Sequence, residues 1–279
     1  MLARTVGNHL AERWGQSVVI DNRSGAGGTI AGEMAARAAP DGYTLMMGTI
    51  AATATNVSLV RKLPYDPVRD FAPITLVAEQ PLMLMVHPAV PARSVEELIQ
   101  LARAKPGLLT FASAGNGTGG HLSAELFRMM TGVDIVHVPY KGIAPALTDT
   151  ISGQVTMSFS SLISGAPHVK VGRLRALAVT SVRRSAAMPE LPTMAEAGVK
   201  GYASSTWYGL LAPRGTPRAI VLRLNNEVVA LLKRSDVRER LLADGAEPVG
   251  NTPEEFGAFI KAEIERWAKV IRAAGIRAD

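Results

Sequence analysis

Apolar residues recur every four positions at the start of the chain, at Leu2, Val6, Leu10 and Trp14, just before Gly15. That spacing predicts an amphipathic helix ended by the glycine. "SVVIDNR" then reads as a strand, and "SGAGGTIAGEMAARAAP" as a Gly-rich turn opening a helix that stops at Pro40. "GYTLMMGT" predicts a strand, and "IAATATNVSL" a loop followed by a short helix. Three prolines make "LPYDPVRDFAPI" irregular. "TLVAEQPLMLMVHP" predicts two extended segments joined near Gln80-Pro81. In "SVEELIQLARAKPG" Ser94 is placed to cap a helix, with Glu97 three residues on as in a capping box. "LLTFASA" is a strand and "HLSAELFRMMTG" the helix after it.

The alternation continues. "DIVHVPY", "QVTMSFSS" and "LRALAVTS" read as strands, "APALTDTISG" and "ISGAPHVKVG" as helices, "TMAEAGV" as a helical turn and "STWYGLLAP" as extended chain. From Pro217 to Ile276 the pattern is mainly helical, broken at "DGAEPVGNTPEE". There Thr252, Pro253 and Glu255 form a second helix start. Such alternation predicts an α/β protein with two mostly parallel sheets flanked by helices. Two extended apolar segments, near 77–86 and 205–212, flank a self-contained α/β block, and the C-terminal helices have no sheet of their own. The expected organisation is a discontinuous domain I (1–80 plus 210–279) with domain II (81–209) inserted through two crossover strands. A cleft between two such lobes is the expected ligand site.

Composition narrows the function. Aromatics make up 5% of the chain and its 30 Lys+Arg are scattered, so the formal charge of +6 suggests mild attraction for anions. Nucleic-acid binding is not expected, because stacking aromatics and a concentrated basic face are missing. The absence of cysteine excludes disulfides, thiolate catalysis and Cys-based metal sites. No apolar run reaches the length of a membrane span, and "MLARTVGNHLAERWGQ" lacks the uninterrupted apolar region of a secretory signal.

The richest chemistry lies in "FASAGNGTGGHLSAE". Gly115, Gly117 and Gly120 spell the G-x-G-x-x-G of a dinucleotide site. That fold also needs an acidic residue near the end of the second strand, and here the strand ends in Pro139-Tyr140-Lys141-Gly142. What survives is a nest of backbone N–H groups at a helix start, suited to one carboxylate; a tight turn with no ligand is the alternative. "SGAGGTIAG" repeats the design earlier in the chain, where close helix packing is the stronger reading. His121 and Glu125 stand at i,i+4, the spacing of a metal pair or a helix-surface pair, and no second element supplies further ligands. His137 reads as a core or strand-end histidine. No nucleophile elbow and no Walker loop is present.

Long stretches resemble one family: "VVIDNRSGAGGTIAGEMAARAAPDGYTL", "LPYDPVRDFAPITLVA", "FASAGNGTGGHLSAELF", "VHVPYKGIAPALTD" and "WYGLLAPRGTP" are similar to the Bug family. These are extracytoplasmic substrate-binding receptors associated with tripartite tricarboxylate transporters, and the match runs along essentially the whole chain. The resemblance implies a bilobal, type II "Venus flytrap" receptor in the periplasm. It implies no catalysis, no cofactor and no metal. It further implies a small carboxylate ligand, a di- or tricarboxylate or an aromatic acid, and membrane transporter subunits or a sensor as partners, without membrane insertion of its own. On matching motifs the ligand contacts would be Thr49, Ala51 and Thr53 in one loop and Ser113, Ala114, Gly115, Asn116 and Thr118 in another, with Tyr140 and Ser160.

Three departures from the family pattern matter. Family members have a strand and a Pro/Gly-rich loop ahead of the first helix, and this chain opens inside that helix; a lower stability than a full-length homologue is expected. Thr53 stands where relatives often carry His. Ser160 stands where many carry Asp, which disfavours an amino-acid ligand. A truncated, non-binding relative and an α/β enzyme using the same cleft are the alternative readings.

Overall fold

The computed structural model describes residues 2–23 and 25–276. Ser24 of the expected Gly-rich turn, and the outermost expected domain residues 1 and 277–279, lie outside the described residues. The chain begins with α1 (Leu2–Trp14), α2 (Thr29–Ala36), β1 (Met46–Thr49), α3 (Asn56–Leu59) and β2 (Phe71–Val86). Then come α4 (Val95–Ala104), β3 (Leu109–Ser113), α5 (Gly119–Thr131), β4 (Ile135–Pro139), α6 (Ile143–Ile151), β5 (Met157–Ser161), α7 (Leu162–Lys170) and β6 (Arg175–Val179). It ends with β7 (Ser205–Pro213), α8 (Arg218–Lys233), α9 (Ser235–Ala243), β8 (Glu247–Pro248) and α10 (Pro253–Ala274).

Two compact units result. The first holds residues 1–79, 207–241 and 247–268; the second holds 80–206, 242–246 and 269–279. The C-terminal part of the chain is therefore divided between the units and does not belong wholly to the first.

In the first unit β1 pairs antiparallel with β7 (Met46↔Leu211), and β8 pairs antiparallel with β2 (Ala78↔Pro248). Its core gathers large aromatics: Trp207 packs edge-on against Phe256 at 5.9 Å and Phe259 at 5.2 Å. A Cβ at Gly209 would run into the Phe256 ring, so this position in β7 must stay bare. The indoles of Trp207 and Trp267 both donate to Glu263 Oε2, at 3.0 and 2.8 Å, and Arg266 donates to its other oxygen. That sharing is how a carboxylate 7% exposed is tolerated among fully buried rings. The third tryptophan, Trp14, lies under the Arg223 guanidinium at 5.0 Å in the same unit.

In the second unit β3 runs parallel to β4 (Phe111↔His137) and to β5, while β2 runs antiparallel to β5 and β6. The pairing is thus mixed: parallel where β-α-β crossovers connect neighbours, antiparallel wherever β2 takes part. Alternation along β5 sends Phe159 toward α5, where it meets Phe127 at 6.1 Å. Ser158 and Ser160 point to the other face, opposite Met85 and Met83, whose side chains join Leu147 of α6 and Leu162 of α7 in one core cluster.

Three sequence expectations change. "SVVIDNR" forms no strand: it is unpaired, and Val19 is 86% exposed. A strand needs a ladder partner, and among the described residues β1 pairs only with β7. The two segments expected around Gln80-Pro81 are one strand. Pro81 interrupts nothing, because side chains take over on both sides: Thr180 Oγ1 accepts from the Leu82 amide at 2.8 Å, and Thr206 Oγ1 donates to the Gln80 carbonyl at 3.0 Å. Finally, no loop precedes α3; β1 passes through Ile50 directly into a π-helical turn at Ala51–Thr55.

Candidate functional site

The turn between β3 and α5 is held by its own polar groups. Gly115 has φ +127° and Gly117 φ +71°, conformations that a side chain disfavours. The Gly115 amide donates to Ser113 Oγ at 3.1 Å, and the Gly115 carbonyl accepts from Thr118 Oγ1 at 2.8 Å. Tyr140 and Gly142 amides donate to the Ser113 and Ala114 carbonyls at 3.0 and 3.2 Å, so the turn is tied to the end of β4. Gly120 serves packing: a Cβ there would stand 2.5 Å from the Phe159 carbonyl oxygen. The first-turn amides of α5 have no intrahelical acceptor and carry the positive end of the helix dipole. Ala114, Gly115, Asn116 and Thr118 all keep some solvent exposure, while Ser113 is completely buried.

Behind the turn lies a stack of rings. Phe111, His137 and His121 are layered, with Phe111–His137 centroids at 4.8 Å and His137–His121 centroids at 3.8 Å. Ser113 Oγ lies 2.6 Å from His137 Nε2. His121 Nδ1 accepts from the Gly117 amide at 3.1 Å. That bond puts the ring proton of His121 on Nε2, which faces Glu125 Oε1 at 3.7 Å. Arg128 donates to the second Glu125 oxygen at 2.7 Å. Burial pushes the Glu125 carboxyl up, but His121 and Arg128 outweigh it and hold it below the ordinary carboxylate range. Burial first, and then the positive charge His121 would carry, bring His137 down to about 4.

The His121–Glu125 pair is therefore not on a helix surface, as the i,i+4 spacing suggested, but buried at 4% and 6% exposure. It faces inward because Phe127, Leu122 and Ala124 on the same helix are also buried against the sheet. Among the described residues no cluster of three or more His, Cys, Asp or Glu could hold a metal. The Ser113–His137 separation matches a nucleophile and its base. With Ser113 buried and its oxygen accepting a turn amide, the contact instead fixes the turn.

The structure brings together Ser113, Ala114, Gly115, Asn116, Thr118 and the backbone of Tyr140. It separates Ser160 from them. Ser160 is 2% exposed, points to the opposite sheet face and has no hydrogen-bond partner for Oγ. The Tyr140 hydroxyl turns away to donate to Asp149 at 2.7 Å; partial burial and that carboxylate push the phenol up to about 12. In the first unit Thr53 is fully buried and donates to the Thr49 carbonyl at 2.6 Å, leaving Thr49 and Ala51 as the partly exposed candidates. Gly28 closes on that turn, where a Cβ would lie 3.1 Å from Ala52. Gly32 clears room for the Tyr65 ring, whose hydroxyl donates to the Ala52 carbonyl at 2.7 Å. In "SGAGGTIAG" Gly32 thus serves packing, and Gly28 combines a close approach with a positive φ that Gly25 and Gly27 share.

Sequence reasoning missed the histidine stack. The signal was present in two parts: the i,i+4 pair on α5, and the parallel register that sets His137 beside Phe111.

Known proteins carry the same architecture. The family model described as "Tripartite tricarboxylate transporter family receptor" matches residues 2–276. BugT of Bordetella pertussis is 38% identical over 99% of this chain and 85% of its own length. An R. palustris protein solved with adipate superposes with a TM-score of 0.88 at 44% identity, covering 99% of this chain and 93% of that one. MatC from Rhodopseudomonas palustris with bound malate gives 0.81 at 35%, covering 97% and 93%.

Proposed function

Since the chain belongs to the tripartite tricarboxylate transporter receptor family, we propose that it is a periplasmic receptor for a small organic carboxylate, with an aliphatic dicarboxylate favoured. The observation that carries this reading is the turn at 113–118. It is held rigid by its own hydrogen bonds, carries no cation, and leads into a thirteen-residue helix whose first-turn amides, Gly119, Gly120 and His121, have no intrahelical acceptor. Such a nest holds a carboxylate by charge-assisted hydrogen bonds. Adipate in one similar structure and malate in another support the dicarboxylate class. In the second unit Ala114, Gly115, Asn116 and Thr118 would line the ligand; in the first, Thr49 and Ala51 are the partly exposed residues of the expected set. Ser113 shapes the turn from behind.

The protein is read as a binding protein without catalysis that presents its acid to membrane transporter subunits or a sensor. No helix among the described residues is long and apolar enough to cross a membrane. Isothermal calorimetry with adipate, malate, citrate, benzoate and glutamate tests the proposal. Binding of an aliphatic dicarboxylate more tightly than benzoate or glutamate is expected. Heat from none of the five acids would overturn it.

A further inference from the structure

We infer that His121 and His137 are the positioning residues of the carboxylate turn, and that one proton taken up by their stack unlatches Gly117 and loosens the turn. The inference rests on the reading of 113–118 as the carboxylate site.

The geometry gives each ring one task. His121 Nδ1 holds the Gly117 amide, and His137 Nε2 holds Ser113 Oγ, which in turn receives the Gly115 amide. Both glycines sit at positive φ, so the two histidines fix the two backbone reversals that aim the turn. Both tasks suit neutral imidazoles. A proton on His121 Nδ1 would set two donors against each other at 3.1 Å, and the Gly117 bond would be lost.

With ring centroids 3.8 Å apart the stack takes up one proton at most, since two charges there would repel strongly. The charged groups facing it all come from α5: Glu125 beside His121, and Arg128 beyond Glu125. β3 and β5, the strands packed on α5, contribute Phe111, Ser113 and Phe159 and no charge. On β4 the neighbouring acid, Asp134, lies at the opposite end, against Gly107. Of the two rings it is His121 that faces the Glu125 carboxylate, and its Nδ1 is the atom that holds Gly117. Acid therefore acts on the bond that holds the turn.

Two readouts test this, and the first needs no ligand. Amide exchange at Gly117, corrected for intrinsic pH dependence, is measured by NMR on the ligand-free protein while the His ring nitrogens are titrated. Gly117 should lose about tenfold in protection as the stack takes up its proton, the scale of one buried hydrogen bond. His121→Asn, whose Oδ1 can replace Nδ1 as acceptor without titrating, should keep Gly117 protected at every pH. His121→Ala should lose that protection even at about pH 8, where imidazole is neutral.

The second readout is adipate affinity by calorimetry. Wild type should weaken about tenfold between about pH 8 and pH 5, and His121→Asn should flatten that slope. Gly117 protection that ignores the ring titration, or a pH slope unchanged in His121→Asn, would overturn the inference. If adipate binds at no pH, the carboxylate reading of the turn fails, and Gly117 exchange still decides the role of the stack.

Discussion

Replacing Gly120 by alanine tests whether this glycine is required by a helix lying hard against a strand. An alanine Cβ would stand 2.5 Å from the Phe159 carbonyl oxygen and 3.6 Å from its carbon. Ordinary Cβ contacts begin near 3.4 Å, so α5 and β5 must separate by roughly 1 Å. Neither partner is a movable side-chain tip; the obstacle is backbone in a paired strand. Overpacking of this kind costs about 1–3 kcal/mol. Alanine's better helix propensity applies to helix interiors and returns little at Gly120, the second residue of α5. The expected net loss is about 1–3 kcal/mol, measured by urea denaturation followed by circular dichroism. Adipate affinity should fall as well, because the start of α5 carries the turn at 117–118. Gly132→Ala is the control: its φ is +68°, nothing lies within 4 Å of the added methyl, and it should cost about 1 kcal/mol with affinity unchanged. A Gly120→Ala protein as stable as wild type would refute the packing argument.

Glu263→Ala should destabilise by about 3–5 kcal/mol, since two buried indole N–H groups lose their acceptor. Glu263→Gln, which keeps one carbonyl oxygen, should lose about half as much in the same urea assay. His137 stands at about 4 against an ordinary 6.5, so between those values the unfolded chain binds more protons than the folded one. Its contribution is therefore full above about pH 6.5 and declines as the pH falls toward about 4. Each tenfold difference in proton affinity is worth about 1.4 kcal/mol; reduced by solvent screening of a ring only partly buried, the contribution amounts to about 1–2 kcal/mol. Urea midpoints compared at about pH 7.5 and 4.5 should show this slope flattened in His137→Gln; an unflattened slope would assign the acid sensitivity to other groups.

Much of the fold was legible because it is local. The spacing of Leu2, Val6 and Leu10 placed α1, and Ser94 caps α4 by accepting the Glu97 amide at 3.1 Å. What failed depended on partners distant in sequence. Val18 and Val19 have strand-like side chains, but β structure also needs a neighbour to pair with, and periodicity carries no record of that. Pro81 looked like a break because the hydroxyls that bridge it come from Thr180 and Thr206, about a hundred residues or more away. The turn itself was readable from its glycines, although they differ in purpose: Gly115 and Gly117 for backbone direction, Gly120 for clearance. The His121–His137 stack arises from strand register, and Thr53 was misplaced because its hydroxyl folds back onto the carbonyl four residues before it.

The placement of the indoles has an optical consequence. All three tryptophans, Trp14, Trp207 and Trp267, belong to the first unit, and two of them share the Glu263 carboxylate. The second unit contains tyrosines and phenylalanines but no indole. Tryptophan emission is thus a gauge of one half of the molecule. It follows melting around Glu263, and the 113–118 turn carries no indole of its own. Emission that moves when an acid is added would report on the unit that holds Thr49 and Ala51.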